Sequence, residues 1–150
     1  MNVLSLWSKL QKLPFGDWVF SRLLEFQVPH ASAIGADIVS LKAGTASSVL
    51  RDRRKVRNHL KSIHAAALVH LGEMTGNLAL SSLQPNNGRW IVKDMRVEYM
   101  KKARGEMRAQ CSLEDLDWTE SRDVSGVIDI LDPQGDRVCQ ITMNWKIGLR

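Results

Sequence analysis

One carboxylate stands alone in a long uncharged stretch of the sequence. Glu73 is the only Asp, Glu, Lys or Arg between Lys61 and Arg89. A carboxylate in apolar surroundings is costly unless it is paired, protonated or placed at a cavity, and these same conditions tune its pKa for catalysis. Glu73 is therefore the first candidate for a functional site. The alternatives are a carboxylate on a solvated helix face or one paired with a distant arginine.

A helix N-terminus precedes this carboxylate. Residues 63 to about 80 form the longest helix candidate, with Ser62 as the expected N-cap. The segment 64–71 is apolar almost all round, which predicts a helix buried on every side. Unpaired amides at a helix N-terminus can stabilise an oxyanion, and the small side chain of Ala65 leaves that backbone open to a substrate. Glu73 could then act as a general base on water or as a nucleophile.

Strand patterns surround this helix on both sides. Alternating apolar and polar residues predict antiparallel strands with one apolar face and one solvent-exposed face. The order of elements is helical segment, two strands, long helix and four strands, which predicts the α+β class. A six-stranded antiparallel sheet wrapped around one central helix, the hotdog fold, satisfies this order. The six predicted strands lie at 34–41, 45–51, around 94–99, 106–113, 124–131 and 138–147.

The length of 150 residues fits one domain. We assign 1–150 to a single hotdog domain, with 1–29 as an N-terminal helical extension that breaks near residues 14–16 and 30–150 as the core. Charges interrupt the apolar N-terminal stretch, so we expect neither a signal peptide nor a membrane span, and docking on a membrane surface is a minor alternative. The two cysteines are interpreted as reduced core residues, which indicates a cytoplasmic protein.

Basic residues dominate the charge balance, with a formal net charge of +5. This favours phosphate-bearing cofactors, nucleic acid or a membrane surface as partners. Nucleic acid is not expected, because Tyr99 is the only aromatic residue near a basic cluster. The candidate phosphate ligands form two clusters, with a solvated charged face as the alternative for each residue: Arg53 and Arg54, and then Lys101, Lys102 and Arg104.

The stretch from Asn58 to Glu73 resembles the motif of the PaaI-like hotdog acyl-CoA thioesterases. In that pattern an Asn precedes a His-Gly-Gly sequence, and an Asp or Glu follows about nine residues after the His. Here Asn58 lies six residues before His64, and Glu73 lies nine residues after it. Residues 97–105 resemble the third-strand region of the same family. The resemblance covers roughly 34 to the C-terminus, and the N-terminal segment resembles the extension of an uncharacterised branch.

The resemblance implies a role for each matching residue. Asn58 would position the thioester or the water, and Ala65 would supply the backbone N–H of the oxyanion hole. Glu73 would be the catalytic carboxylate, and His64 would hold the start of the helix through a hydrogen bond. Because Glu73 lies two turns from Ala65, it should come from the partner subunit. Coenzyme A would enter as part of the substrate, with no separate cofactor, and the His spacing does not match a zinc helix.

One departure from the family motif bears on activity. His-Ala-Ala replaces His-Gly-Gly, so the backbone amide is kept but two methyl groups narrow the site. This departure favours the main alternative function, an acyl-CoA or lipid-binding hotdog protein without catalysis. A hotdog hydratase or dehydratase is a further alternative, although its His–acid arrangement does not appear here. The exposed edge strand of a single hotdog predicts a homodimer, or a homotetramer built as a dimer of dimers.

Overall fold

The computed structural model describes residues 2–149 and contains a six-stranded antiparallel sheet around one long helix. The strand order is β1-β2-β4-β5-β6-β3, and every neighbouring pair is antiparallel. The predicted α+β class and hotdog fold are confirmed. The strands are β1 (Asp37–Lys42), β2 (Thr45–Leu50), β3 (Gly88–Tyr99), β4 (Met107–Ser112), β5 (Arg122–Leu131) and β6 (Arg137–Leu149).

Three α-helices and two 3-10 turns complete the fold. The helices are α1 (Val3–Leu10), α2 (Gly16–Gln27) and α3 (Ala65–Ser82), and the 3-10 turns span Pro29–Ala33 and Arg54–Val56. No helix among residues 2–149 is long and apolar enough to cross a membrane.

At the break between α1 and α2, the chain turns so tightly that the two backbones come into close contact. Phe15 has a left-handed backbone with φ of 60°, and α2 begins at the next residue. A Cβ atom at Gly16 would lie 2.0 Å from the carbonyl oxygen of Leu10, so only glycine fits there. The predicted break near residues 14–16 is confirmed, and it folds α2 back along α1.

The central helix α3 packs closely on the apolar face of the sheet. The inward side chains of β5 and β6 are fully buried beneath it, among them Ile128, Ile141 and Trp145. A Cβ atom at Gly72 would lie 2.4 Å from Cδ1 of Ile141, and one at Gly76 would lie 3.0–3.2 Å from three side chains of the sheet. Glycines on this face let the helix approach the sheet, and the opposite face of α3 is turned toward the N-terminal helices.

The predicted start of α3 is wrong by two residues. His64, and not Ser62, is the N-cap, and its Nδ1 accepts a hydrogen bond from the Ala66 N–H at 3.1 Å. The Ser62 carbonyl instead accepts the Asn58 N–H at 2.8 Å, which closes a turn over residues 58–62. This turn uses the backbone that a helix starting at residue 63 would need.

The two cysteines are buried and free, as the sequence predicted. Burial raises the pKa of the Cys111 thiol to about 12 and that of Cys139 to about 11. Thiols of this kind are protonated at neutral pH and are poor nucleophiles. We therefore assign both to the core.

Candidate active site

Glu73 lies on the outer face of α3 and is half-buried. Its side chain lines a cavity of about 370 Å³. The walls come from three parts of the chain, namely α2 with the 3-10 turn after it, α3, and the first residues of β3. The lone carboxylate predicted from the sequence thus stands at a cavity, which is one of the conditions that make such a group tolerable in apolar surroundings.

Two stacked imidazoles lie beside Glu73 in the same cavity. The rings of His30 and His70 are 4.5 Å apart between centroids, with an angle of 18° between their planes. Burial, with a further contribution from His30, lowers the pKa of His70, and the charge of Glu73 acts in the opposite direction. His70 precedes Glu73 by about one turn of α3, so the carboxylate has an imidazole neighbour on its own helix.

The first turn of α3 presents one free backbone donor. Ala65 and Ala66 are exposed, and the Ala66 N–H is bound by His64. Among residues 2–149, no acceptor forms a hydrogen bond with the Ala65 N–H. The Ala65 carbonyl accepts a hydrogen bond from the hydroxyl of Tyr99 at 3.3 Å. Of the two alanine amides, Ala65 is therefore the one open to a substrate oxygen.

Asn58 holds the loop that leads into α3. Its Oδ1 accepts hydrogen bonds from the N–H groups of Leu60 at 2.9 Å and Ser62 at 3.2 Å. The His64 N–H donates to the Val56 carbonyl at 2.8 Å, which ties the same loop to the preceding 3-10 turn. These bonds bring the turn that Asn58 holds next to the helix start and its exposed amide. They occupy the side-chain oxygen of Asn58 within the chain.

Within a single chain, Glu73 lies far from the Ala65 amide, the other group that the predicted chemistry needs. It follows Ala65 by eight positions on the same helix, which corresponds to about 12 Å at 1.5 Å per residue. One carbonyl group cannot contact both the Ala65 amide and the Glu73 carboxylate across that distance. A site that uses both groups therefore requires a second copy of the chain.

The two basic clusters meet near the start of α3. The Ile63 N–H donates to the Ala103 carbonyl at 2.8 Å, and the Gly105 N–H donates to Oδ2 of Asp52 at 3.0 Å. The Asp52 carboxylate also accepts a hydrogen bond from Nε of Arg57 at 2.6 Å, and this contact lowers the pKa of Asp52. The loops before α3 and before β4 are thereby joined at one end of the molecule.

Only part of each cluster is free to meet a phosphate. Arg53 donates to the carbonyls of Ile34 and Gly35 at 2.6 and 3.0 Å, so it holds the segment before β1. Lys101 forms ion pairs with Asp132 at 2.6 Å and Asp136 at 2.9 Å. Three cluster residues are exposed and form no ion pair with any residue in 2–149: Arg54, Lys102 and Arg104.

Three notable residues of the cavity are among those not predicted from the sequence. His30 comes from the N-terminal segment, Trp90 from β3, and Asn77 lies one turn after Glu73 on α3. Asn77 accepts a hydrogen bond from Nε1 of Trp145 at 2.9 Å, which anchors its side chain to the sheet. Only Asn77 had a signal in the sequence, because its spacing from Glu73 places the two on one helix face. His30 and Trp90 reach the cavity through tertiary packing.

A family model covers almost the whole chain. Residues 16–147 match the model described as "Domain of unknown function (DUF4442)". The chain belongs to the DUF4442 family. Among curated proteins, no sequence is significantly similar to this DUF4442 member.

Solved structures with the same fold include proteins named as thioesterases. A Pseudomonas aeruginosa protein of unknown function, described as a probable thioesterase, is 21% identical with a TM-score of 0.80, over 92% of this chain and 97% of its own. A thioesterase from Haemophilus influenzae is 16% identical with a TM-score of 0.71, over 80% and 82% of the two chains. A variant of the phenylacetic acid degradation protein PaaI from Thermus thermophilus is 18% identical with a TM-score of 0.68, over 79% and 97%. The predicted resemblance to PaaI-like hotdog proteins is confirmed at the level of fold.

Proposed function

We propose that this DUF4442 protein hydrolyses an acyl-CoA thioester to a free acid and coenzyme A, at a site shared between two copies of the chain. One observation carries the proposal. The helix whose first amide is exposed and free also bears a half-buried carboxylate, Glu73, at a cavity. The fold shared with proteins named as thioesterases supports the same reaction class.

The chemistry assigned to these groups is the addition of water to a thioester. The Ala65 N–H of one subunit donates a hydrogen bond to the thioester carbonyl oxygen, whose negative charge grows as the tetrahedral intermediate forms. Glu73 of the other subunit removes a proton from water, and the resulting hydroxide attacks the carbonyl carbon. The C–S bond then breaks, and the departing thiolate takes up the proton. Direct attack by the Glu73 carboxylate, followed by hydrolysis of the anhydride, gives the same products.

Supporting residues keep these two groups in place. His64 caps α3 through the Ala66 amide, and Asn58 holds the preceding turn. We assign the phosphates of coenzyme A to the exposed cations Arg54, Lys102 and Arg104, because they lie on the loops joined near the helix start. Arg53 and Lys101 were predicted for this role, but each already has protein partners that a phosphate would have to displace.

The test is the variant Glu73→Gln, assayed on a panel of acyl-CoAs by release of free thiol. Removing the general base or nucleophile should lower kcat by about 10²-fold or more while the side chain keeps its size. Glu120→Gln is the matched control, because Glu120 is exposed and lies in the loop before β5, which contributes no residue to the cavity. An active wild type together with a fully active Glu73→Gln variant would show that the carboxylate has no catalytic role.

A second candidate is an acyl-CoA-binding protein without turnover. The observation that favours it is the pair of exposed methyl groups at Ala65 and Ala66, which occupy space that glycines leave open. Tight binding of acyl-CoA by calorimetry, with no thiol release, would support this function and contradict the first. Restoring glycine in the double variant Ala65→Gly and Ala66→Gly would then be expected to produce turnover.

A further inference from the structure

The cavity at Glu73 lies beside a larger apolar groove. This groove has a volume of about 900 Å³ and lies between the N-terminal helices and the end of α3. Four residues line both spaces, so the two are neighbours with a common wall: Leu24, Val28, Leu78 and Ser81. The groove is therefore the apolar space next to Glu73, and a ligand tail that starts at Glu73 would enter it past these residues.

Charge is confined to one end of this combined space. Glu73 and the two imidazoles line the smaller cavity, whereas the residues lining the groove, all within 2–149, include no Asp, Glu, Lys, Arg or His. The groove walls are mainly aliphatic and aromatic, with Phe20 buried at the base and Leu23 and Phe26 exposed along the opening. A ligand that matches this pattern has a polar group at one end and a long apolar tail.

The length of the path also indicates a long tail. Ser81 follows Glu73 by eight positions on α3, or about 12 Å along the helix axis. The groove extends beyond Ser81 to Gln84 and Asn86, past the end of the helix. A short acyl group would leave this second space empty of substrate.

We propose that the N-terminal helices form the acyl-chain site of this protein and that its substrate is a long-chain fatty acyl thioester. This rests on the proposed thioesterase function, since the thioester end is placed at Glu73. The tail passes the common wall at Val28 and fills the groove lined by α1 and α2. Each methylene that leaves water in such a site strengthens transition-state binding by about fourfold, so kcat/KM rises with chain length.

The experiment places a larger side chain at Val28, which reduces the space between the cavity and the groove. This side chain is 48% exposed, so a larger residue can be accommodated without repacking the core. Val28→Trp should lower the ratio of kcat/KM for palmitoyl-CoA to kcat/KM for butanoyl-CoA by about tenfold or more, because only the long tail passes that point. Val127→Trp is the matched control, since Val127 is a similarly exposed valine (46%) on β5 that lines neither space.

A binding measurement separates this proposal from the catalytic one. Dodecanoate is titrated into the wild type, Val28→Trp and Val127→Trp by calorimetry, which needs no turnover. If the wild type hydrolyses no acyl-CoA but Val28→Trp alone weakens dodecanoate binding, the catalytic function fails and the acyl site stands. If thioesters are hydrolysed but Val28→Trp has the same preference between long and short acyl chains as the wild type, the assignment of the acyl site is wrong and the catalytic function stands. Circular dichroism confirms folding, and Ser81→Phe replaces Val28→Trp if the latter does not fold.

Discussion

His70 connects the protonation state of the cavity to the stability of the fold. Its ring stacks on His30, and burial lowers its pKa below the ordinary value of 6.5. The folded state therefore favours the neutral imidazole, which can stack on a second imidazole without charge repulsion. Because the ring comes from α3 and its partner from the 3-10 turn after α2, protonation acts on the contact between these two elements.

We expect acid to destabilise the wild type through this residue. Below about pH 6.5 the unfolded chain binds a proton at His70 that the folded chain does not, so the free energy of unfolding falls as the pH drops toward the lowered pKa. In His70→Gln this contribution is absent, and the decrease in stability between pH 7.5 and 5.5 should be smaller. Urea unfolding at the two pH values measures the difference.

The control for this experiment is His59→Gln. His59 is exposed in the turn before α3 and lines neither the cavity nor the groove. Its variant should retain the pH dependence of the wild type. An equal loss of stability on acidification in His70→Gln and the wild type would remove the role assigned to His70.

At the scale of elements, the N-terminus of α3 can be tested without disturbing the helix. Ala65 is the first helical residue, and its N–H has no hydrogen-bond partner among residues 2–149. Proline is tolerated at this position, and the extended backbone of His64, with ψ of 139°, suits a residue that precedes proline. Ala65→Pro therefore removes the N–H donor without breaking a hydrogen bond of the helix.

The expected result is a loss of catalysis with the fold retained. Removing one oxyanion-hole donor lowers kcat by about 10²- to 10³-fold in enzymes that depend on it. Ala65→Ser keeps the amide and serves as the control. Thiol release and thermal unfolding are measured for both variants. Undiminished turnover by a folded Ala65→Pro variant would mean that another group stabilises the oxyanion.

The elements around α3 also explain which site residues share a location. Hydrogen bonds from Ile63 to Ala103 and from Gly105 to Asp52 join two loops that are far apart in the sequence. The exposed cations of both loops thus flank one helix end. The cavity is assembled in the same way, because α2 folds back at Gly16 and carries its C-terminal end to Glu73.

At the scale of the whole molecule, the longer of the two edge strands of the sheet predicts self-association. Strand β3 is 12 residues long and pairs only with β6 within residues 2–149. Ile91 on this strand is 66% exposed. An edge of this length pairs readily with another strand, and a two-fold axis would bring two copies of β3 together. We expect a homodimer, consistent with a site that needs Ala65 and Glu73 from different subunits.

Ile91→Lys should weaken this dimer. In a two-fold interface the substitution introduces two like charges, and the dissociation constant should rise by about tenfold or more. Light scattering across a dilution series measures the dissociation, and thiol release measured at the same concentrations should fall with the dimer fraction. Val127→Lys places the same charge on β5, an inner strand of the sheet, and should leave the dissociation constant and thiol release unchanged. A wild type that is monomeric and fully active would contradict the shared site.

The sequence by itself determined the class of the fold and the position of its main carboxylate. Alternating residues predicted the antiparallel strands, and the uncharged stretch around Glu73 predicted the central helix, because both patterns depend on periodicity within one element. The motif from Asn58 to Glu73 also lies within one continuous segment. Its spacing could therefore be read without knowledge of the packing.

Only the tertiary structure decided what surrounds that carboxylate. His30 and Trp90 reach the cavity from other elements, and no local pattern marks them. Arg53 and Lys101 were predicted to meet phosphate, but carbonyls and carboxylates distant in the sequence already bind them. The physical reason is that a contact between distant segments depends on how whole elements fold back on one another, as α2 does on α1, whereas periodicity records only which face of one element is apolar.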